Sequence, residues 1–178
     1  MSSNFAFLHE KFSELEQLGR MAERYWQSDP HACVLKLGLL CEGMVKIMLA
    51  MNDGSITVPA DAGAAERLGI LQRRGLLKED VAAAFHVLRK VRNKAAHEGY
   101  APLPEQTLSL LQTAHSLCEW FFLSYGEEDY RHQDFVTPEA AAPAASATEQ
   151  SDEQLVEQAA ARLGVSRATL YRQIKRLG

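Results

Sequence analysis

Apolar residues recur at the spacing of an α-helix along most of the chain. No segment alternates apolar and polar residues over a length that would indicate a β-sheet. The first predicted helix carries a one-sided apolar stripe from Phe5 to Trp26, and either Ser3 or Asn4 can cap it. The pattern therefore predicts an all-α protein that opens with a long amphipathic helix.

The second predicted helix begins at Asp29-Pro30, with proline at its first helical position, and ends near Asn52. Its residues 33–51 are apolar on nearly every face, and such a helix is stable only when other elements surround it. We therefore expect it to be the most buried helix, with three of its apolar residues in the core: Leu37, Leu40 and Ile47.

Three further helices are predicted before the composition changes. Gly75 ends a short helix over 66–74, and Gly99 ends a longer one over 79–98. The last helix spans 104–125 and begins with a proline. Together the helices predict a bundle with a single core.

The chain divides into three parts by composition. The helices predict a first domain over 1–134, and 135–152 is a predicted linker that contains all but the last residue of the stretch TPEAAAPAASATEQSDE. That stretch has no aromatic or branched aliphatic side chain, so we expect residues 138–151 to be disordered or extended. Helical periodicity returns in 153–178, which predicts a second unit of two short helices.

Overall composition excludes several classes of protein. The 178 residues are 47% hydrophobic and 24% charged, which is ordinary for a globular protein. The net charge of −4 gives no global basic field, so any nucleic-acid contact must come from a local patch. Cys33, Cys41 and Cys118 form no C-x-x-C pair, which argues against a disulfide scaffold and a thiolate zinc site. We expect a cytoplasmic protein without a metal, a cofactor or a membrane partner.

A basic segment near the end of the 79–98 helix contains the first candidate site. At about 100° per residue, Arg89, Asn93 and His97 form one stripe, whereas Arg92 points about 140° away from His97. Gly99 indicates that the helix ends just past His97. A loosened last turn could then bring Arg92 and His97 to one point.

Arginine, asparagine and histidine suit the cleavage of RNA without a metal ion. The arginine can stabilise charge on the phosphoryl oxygens, the imidazole can move a proton, and the 2′-hydroxyl supplies the nucleophile. A single histidine can hardly act as both acid and base, so two copies facing each other across a homodimer make better chemical sense. In the alternative interpretation His97 caps helix carbonyls and Asn93 binds a neighbouring loop.

The pattern Arg-Asn-x-x-x-His over Arg92, Asn93 and His97 resembles the HEPN superfamily, whose ribonuclease members carry an arginine, a polar residue and a histidine in this arrangement. A closer resemblance covers about 4–139, where NFAFL, DP…KL…E and N-x-A-x-H-E follow each other as in the N-terminal HEPN-like region of type I restriction R subunits and related defence helicases. It implies a HEPN-like bundle with restriction-system subunits as partners. Those relatives often lack the arginine and use the region as an accessory module, so catalysis stays open. No G-x-x-x-x-G-K-[ST] phosphate loop occurs, which excludes ATP hydrolysis by this chain alone.

Glu42 is a carboxylate on the nearly all-apolar second helix and needs a partner there. One interpretation pairs it with Lys46 at i+4. The other interpretation, which we favour, has Glu42 reach Arg89 or Arg92 and orient that side chain. Glu42 and Arg89 would then support the candidate catalytic residues.

Residues 153–178 have the spacing of a helix-turn-helix. Ala160 is small where two helices would cross, Gly164 allows a left-handed turn and Ser166 caps the second helix. The stretch LGVSRATLYR resembles the Fis-type DNA-binding end of bacterial enhancer-binding activators, which implies contact with the major groove of DNA. The candidate DNA-binding residues are Arg167, Thr169, Tyr171, Arg172, Lys175 and Arg176.

Several functions remain open for the whole chain. The tail is alternatively a hairpin that packs on the first domain or mediates dimerisation, because two short helices cannot bury a core alone. We favour a nucleic-acid-associated module of a prokaryotic defence system that forms a homodimer, contacts DNA through its tail and takes RNA as a second candidate ligand. A non-catalytic assembly domain and a transcription regulator with a helical sensor domain are the alternatives.

Overall fold

The computed structural model describes residues 3–52, 56–127 and 129–139. Those residues contain no strand, which confirms the all-α class. They form a 3₁₀ turn at Ala6–Leu8 and five α-helices: α1 (Ser13–Tyr25), α2 (Pro30–Met51), α3 (Ala64–Arg73), α4 (Glu79–Glu98) and α5 (Pro104–Tyr125). The predicted helix-turn-helix over 153–178, with its candidate DNA-binding residues, lies outside the described residues, as does most of the predicted linker.

The bounds of α2 to α5 follow from local signals in the sequence. The Asp29 carboxylate accepts a hydrogen bond of 2.9 Å from the Ala32 backbone N–H, and Pro30 occupies the first turn of α2. Gly75 (φ 71°) follows α3 and Gly99 (φ 64°) ends α4, both in the left-handed conformation that glycine adopts without strain. The predicted extents of these four helices are confirmed to within two residues at each end.

The first predicted helix is wrong in its extent, because α1 begins only at Ser13. Neither Ser3 nor Asn4 caps a helix: the Ser3 hydroxyl and the Asn4 backbone N–H both donate to the buried carboxylate of Glu23. These bonds hold Phe5 against Gly19, where an added Cβ would come within 2.7 Å of the Phe5 ring. Because Phe5 packs on α1, the residues before Ser13 do not continue the helix that the apolar stripe from Phe5 to Trp26 predicts.

The second helix is the centre of the bundle, as its pattern predicts. It packs against each of the other four α-helices. Leu37 is 1% exposed and Leu40 is 0% exposed, and Ile47 is half-buried against the core. No helix in the described part of the chain is long and apolar enough to cross a membrane.

An extended segment after α5, residues 129–139, lies back across the start of the chain; we name it the strap. The Val136 N–H donates to the Asn4 side-chain oxygen and the Asn4 amide nitrogen donates to the Val136 carbonyl, both over 2.8 Å. The Gln133 N–H donates over 2.8 Å to the buried carboxylate of Glu119 on α5. The contacts of the first domain therefore extend to Val136.

Candidate functional site

A cleft of about 500 Å³ lies between α2, the N-terminal end of α3 and α4. This volume falls in the range of about 300–1,000 Å³ that small-molecule sites occupy. Its polar and small lining residues come from all three elements: Gly38, Glu42 and Lys46 of α2, Gly63, Ala64, Ala65 and Arg67 at the start of α3, and Arg89, Arg92 and Asn93 of α4. Val45, Leu68 and Phe85 are among its apolar lining residues.

The cleft carries an excess of positive charge. Among the described residues, four cationic side chains line it (Lys46, Arg67, Arg89 and Arg92), whereas Glu42 is the single carboxylate. The whole chain has a net charge of −4, so this positive charge is local. Any contact of this acidic chain with nucleic acid requires such a local patch.

Arg92 and Glu42 form an ion pair across the gap between α4 and α2. The Arg92 Nη2 lies 3.0 Å from the Glu42 Oε1, and the Arg92 Nη1 donates to the Asn93 Oδ1 over 3.3 Å. Both side chains of the pair are less than one third exposed, at 27% and 29%. The interpretation that Glu42 reaches an arginine of the basic helix is thereby confirmed, and the alternative pair with Lys46 is wrong.

Gly38 gives the Arg92 side chain the room to reach this position. A Cβ built on Gly38 would come within 2.8 Å of the Arg92 Cβ and closer still to its Cγ. Gly38 and Glu42 lie one turn apart on the same face of α2. The aliphatic stem of Arg92 therefore crosses α2 at the glycine, and its guanidinium meets the carboxylate one turn further along.

Arg67 and Arg89 have no carboxylate partner in the described part of the chain, and neither has Lys46. The Arg67 Nε donates to the Ala62 carbonyl over 2.9 Å, which fixes the side chain. The two terminal nitrogens of its guanidinium remain available as hydrogen-bond donors. The Arg89 Nε is buried and has no hydrogen-bond acceptor among the described residues. These cations carry the free positive charge of the cleft.

His97 does not line the cleft with Arg92 and Asn93. The last turn of α4 does not bring Arg92 and His97 to one point in a single chain: the helix extends to Glu98, and the N–H groups of Gly99 and Tyr100 both bond to the Lys94 carbonyl. His97 is exposed at this helix end. In a single chain the cleft therefore brings together Glu42, Arg89, Arg92 and Asn93, and a shared site with His97 across a dimer stays a prediction.

Two cations of the cleft, Lys46 and Arg67, are not among the residues that the sequence singles out. In the sequence, Lys46 stands out only as a partner for Glu42 at i+4, and Arg67 lies on a short helix with mixed charges. Neither position has a spacing that marks it as part of a site. Only the packing of α3 beside α2 and α4 places Arg67 in the cleft.

Thiol and metal chemistry receive no support from the described residues. Cys41 lines the cleft, but burial, helped by the negative charge of Glu42, raises the pKa of its thiol to about 12. A thiol with this pKa is almost fully protonated at neutral pH and is a poor nucleophile. No group of three or more histidine, cysteine, aspartate or glutamate side chains in 3–52, 56–127 and 129–139 could hold a metal ion.

Comparison with known proteins gives one family. The sequence profile of DUF4145, described as a domain of unknown function, matches residues 20–142. This range includes α2 to α5 and every residue that lines the cleft. No curated protein and no solved structure matches the chain.

Proposed function

The chain belongs to the DUF4145 family, and we propose that its helical domain is a nucleic-acid-associated module of a prokaryotic defence system. The excess positive charge of the cleft carries this proposal. Lys46, Arg67 and Arg89 offer donors to phosphate groups and have no carboxylate partner in the part of the chain that the structure describes. Assignment to a defence system rests on the resemblance of the sequence to the N-terminal region of type I restriction R subunits.

A single strand is the form of nucleic acid that suits the cleft. Phosphate contacts from lysine and arginine supply binding that does not depend on base sequence. A cleft of about 500 Å³ holds a nucleotide but not a double helix. A flexible single strand can enter it because its backbone bends and its bases are already unpaired. Single-stranded RNA is therefore the ligand that we propose for this domain.

Binding without catalysis is the activity that one chain supports best. The Arg92 guanidinium is held by Glu42, and His97 lies outside the cleft that Arg92 lines. Cleavage of RNA by Arg92, Asn93 and His97 is a second candidate function, which requires a homodimer. The exposed position of His97 in the last turn of α4 favours this candidate, because a second copy can reach the imidazole there.

Titration of a labelled single-stranded RNA by fluorescence anisotropy tests the proposal. We expect Arg67→Gln and Lys46→Gln each to weaken binding by about 5- to 10-fold and to reduce the slope of log K against log salt by about 0.7. Arg24→Gln on α1 is the matched control, because it removes the same charge from an exposed site outside the cleft.

Equal affinity of the wild type, Arg67→Gln and Lys46→Gln would overturn the proposal. So would an equal loss in Arg24→Gln, because the binding would then follow net charge and not the cleft. Lys46 is exposed and its substitution leaves the core intact, so at least one cleft variant reports binding without a change in folding.

A further inference from the structure

The exposed face of α4 beside the cleft carries a second group of positive charges. Arg89 and Asn93 line the cleft, and each is followed in the chain by a lysine. These lysines, Lys90 and Lys94, lie about 100° further around α4 than the residues before them, and both are exposed. They are about one helical turn apart, and we name the pair the α4 ridge. The positive charge of the cleft therefore continues onto the surface of the domain.

No acidic side chain of α4 neutralises the α4 ridge. The helix has no aspartate or glutamate between Asp80, in its first turn, and Glu98, its last residue. Asp80 lies about 15 Å along the helix axis from Lys90. Glu98 is one turn after Lys94, yet neither ridge lysine forms an ion pair with a carboxylate in the part of the chain that the structure describes. Both ammonium groups are therefore available to an anionic ligand.

The stability of α4 does not account for this arrangement. Like charges one turn apart repel each other and weaken a helix. The helix dipole favours cations mainly in the last turn, and Arg89, Lys90 and Lys94 all precede the last turn, 95–98. A ligand with several negative charges does account for it, because such a ligand relieves the repulsion between the lysines.

Lys94 is held in place at one end of the ridge. Its Nζ lies 5.2 Å from the centroid of the Tyr100 ring, within the distance of about 6 Å at which a cation is attracted to an aromatic face. The Tyr100 hydroxyl donates to the Gln106 side-chain oxygen over 3.4 Å, and the Tyr100 carbonyl lies 3.1 Å from the His31 Nδ1. Because the tyrosine is anchored at its hydroxyl and its backbone, the ammonium above it loses less freedom when it binds an anion.

We infer that the α4 ridge binds the phosphates of a single RNA strand where that strand leaves the cleft. The inference rests on the proposed function, because it extends the strand from the cleft to a second surface of the same domain. Arg89 in the cleft and Lys94 on the ridge are five residues apart, or about 7.5 Å along the helix axis. At about 3.4 Å per phosphate in a stacked strand, this distance spans about two nucleotides. The cleft and the ridge together thus contact about three nucleotides.

Continuity with the cleft favours a single strand over a double helix. A double helix also presents phosphates to exposed lysines, but a cleft of about 500 Å³ does not admit it. A single strand can occupy the cleft and the ridge at once. The second contact then forms within one complex at a high effective concentration, so binding should strengthen with the length of the strand until both surfaces are filled.

RNA length and removal of the ridge charges test the inference together, by fluorescence anisotropy on the full chain. We expect the wild type to bind a labelled hexanucleotide at least about 10-fold more tightly than a labelled dinucleotide, which is too short to fill both surfaces. Lys90→Gln and Lys94→Gln should each weaken binding of the hexanucleotide by about 5- to 10-fold and reduce the slope of log K against log salt by about 0.7. The advantage of the longer RNA should shrink in both variants.

Lys78→Gln is the matched control for the ridge variants. Lys78 is exposed and directly precedes α4, so this variant removes the same charge beyond the far end of the same helix. We expect it to change the affinity for the hexanucleotide by less than about 2-fold. Because all three lysines are exposed, none of the substitutions alters the core, and thermal melts of the variants should match that of the wild type.

The outcomes separate the ridge from the proposed function. Unchanged affinity in Lys90→Gln and Lys94→Gln, or an equal loss in Lys78→Gln, overturns the ridge, while a loss in Arg67→Gln alone keeps RNA in the cleft. A loss in the ridge variants but none in Arg67→Gln overturns the proposed function and leaves RNA on the ridge.

A duplex of the same sequence completes the test. If the duplex binds at least as tightly as the single strand and loses as much affinity in the ridge variants, the ridge serves a double helix and the inference is wrong. Failure of both nucleic acids to bind overturns the ridge and the proposed function together.

Discussion

Arg92 crosses α2 at Gly38, and no side chain larger than hydrogen fits at that point. The Cβ of any other residue would come within 2.8 Å of the Arg92 Cβ. The glycine thus sets the path of the arginine, and Glu42, one turn later, fixes its guanidinium 3.0 Å away. The packing of α2 against α4 and the charge of the cleft depend on the same contact.

Gly38→Ala should destabilise the domain through this contact. The new methyl group forces Arg92 or α4 to shift, and overpacking of this kind costs about 1–3 kcal/mol in the free energy of unfolding. Urea unfolding followed by circular dichroism measures it. Gly69→Ala on α3 is the control and should be neutral or stabilising, because its Cβ meets only the end of the Arg73 side chain at 3.2 Å.

The double variant Gly38→Ala/Arg92→Ala identifies the cause of the loss. Truncation of Arg92 removes the atoms that the new methyl group would meet, so the loss in the double variant should be smaller than the sum of the two single losses. Strict additivity would contradict the assignment of the strain to Arg92.

Glu42→Gln should strengthen RNA binding while it weakens the fold slightly. The substitution removes the carboxylate that pairs with Arg92 in the cleft, so one more cation can interact with phosphate. We expect a gain of about 3- to 10-fold in affinity at low salt and a steeper salt dependence. Loss of the pair with Arg92 should cost about 0.5–1 kcal/mol of stability. Anisotropy titrations with Glu105→Gln, an exposed site on α5, give the control; unchanged affinity in Glu42→Gln would contradict the prediction.

His115 should make the domain less stable in mild acid. The side chain is 2% exposed, and its ring meets three aromatic rings edge-on: Phe5, Phe7 and Phe135. Burial lowers the pKa of His115 below its usual value of about 6.5, against the opposite effect of Glu119. The unfolded chain therefore binds the proton more readily, and stability is lost as the pH falls below about 6.5.

Thermal melts at several pH values check this expectation. The melting temperature of the wild type should fall between about pH 7.5 and 5.5, and the fall should be shallower in His115→Gln. His9→Gln is the control because His9 is 74% exposed. If His115→Gln loses as much stability on acidification as the wild type does, His115 is not the group that titrates.

His97→Ala separates RNA binding from RNA cleavage. If the domain cleaves RNA as a homodimer, cleavage in the presence of EDTA should disappear in His97→Ala, because the imidazole is the proton-transferring group. RNA binding should persist, since His97 does not line the cleft. Purified protein, a labelled RNA and a denaturing gel suffice for the measurement. Cleavage that continues at the same rate in the variant would exclude His97 as a catalytic residue.

The tail should bind double-stranded DNA weakly and mainly through phosphates. Arg167, Arg172, Lys175 and Arg176 can neutralise about four phosphates, so log K should fall against log salt with a slope near −3 to −4. The affinity of one copy should lie near 10⁻⁴–10⁻⁶ M, the range of non-specific binding. Titration of a labelled duplex with the wild type and with Arg172→Glu/Lys175→Glu measures it. Equal affinity of the two proteins would favour a packing hairpin.

Local signals in the sequence predict most of the helix bounds. Asp29-Pro30, Gly99 and Pro104 act on the backbone within one turn of the residue itself, so α2, α4 and α5 follow directly. The break before α1 does not follow from local signals, because the apolar stripe from Phe5 onward fits an uninterrupted helix equally well. It arises from contacts with Glu23 and Gly19, a turn or more into α1.

The candidate site shows the same division between local and distant contacts. Arg92, Asn93 and Arg89 belong to one segment of α4, and a carboxylate on a nearly all-apolar helix, such as Glu42, needs a partner, so their meeting could be predicted. In the sequence, Lys46 and Arg67 look like ordinary charged residues on the solvent-exposed faces of helices. Their place in the cleft depends on how three helices pack, which periodicity in one helix does not report.

The hydrogen bonds between Asn4 and Val136 join the two ends of the helical domain at one point. Both bonds are 2.8 Å long and exposed. Tension applied to the chain through these ends therefore loads this pair of bonds in parallel with the bonds that Ser3 and Asn4 donate to Glu23 of α1. Because the two ends of the domain lie next to each other, the helical bundle can also be inserted into a surface turn of a host protein without separating the two sides of that turn.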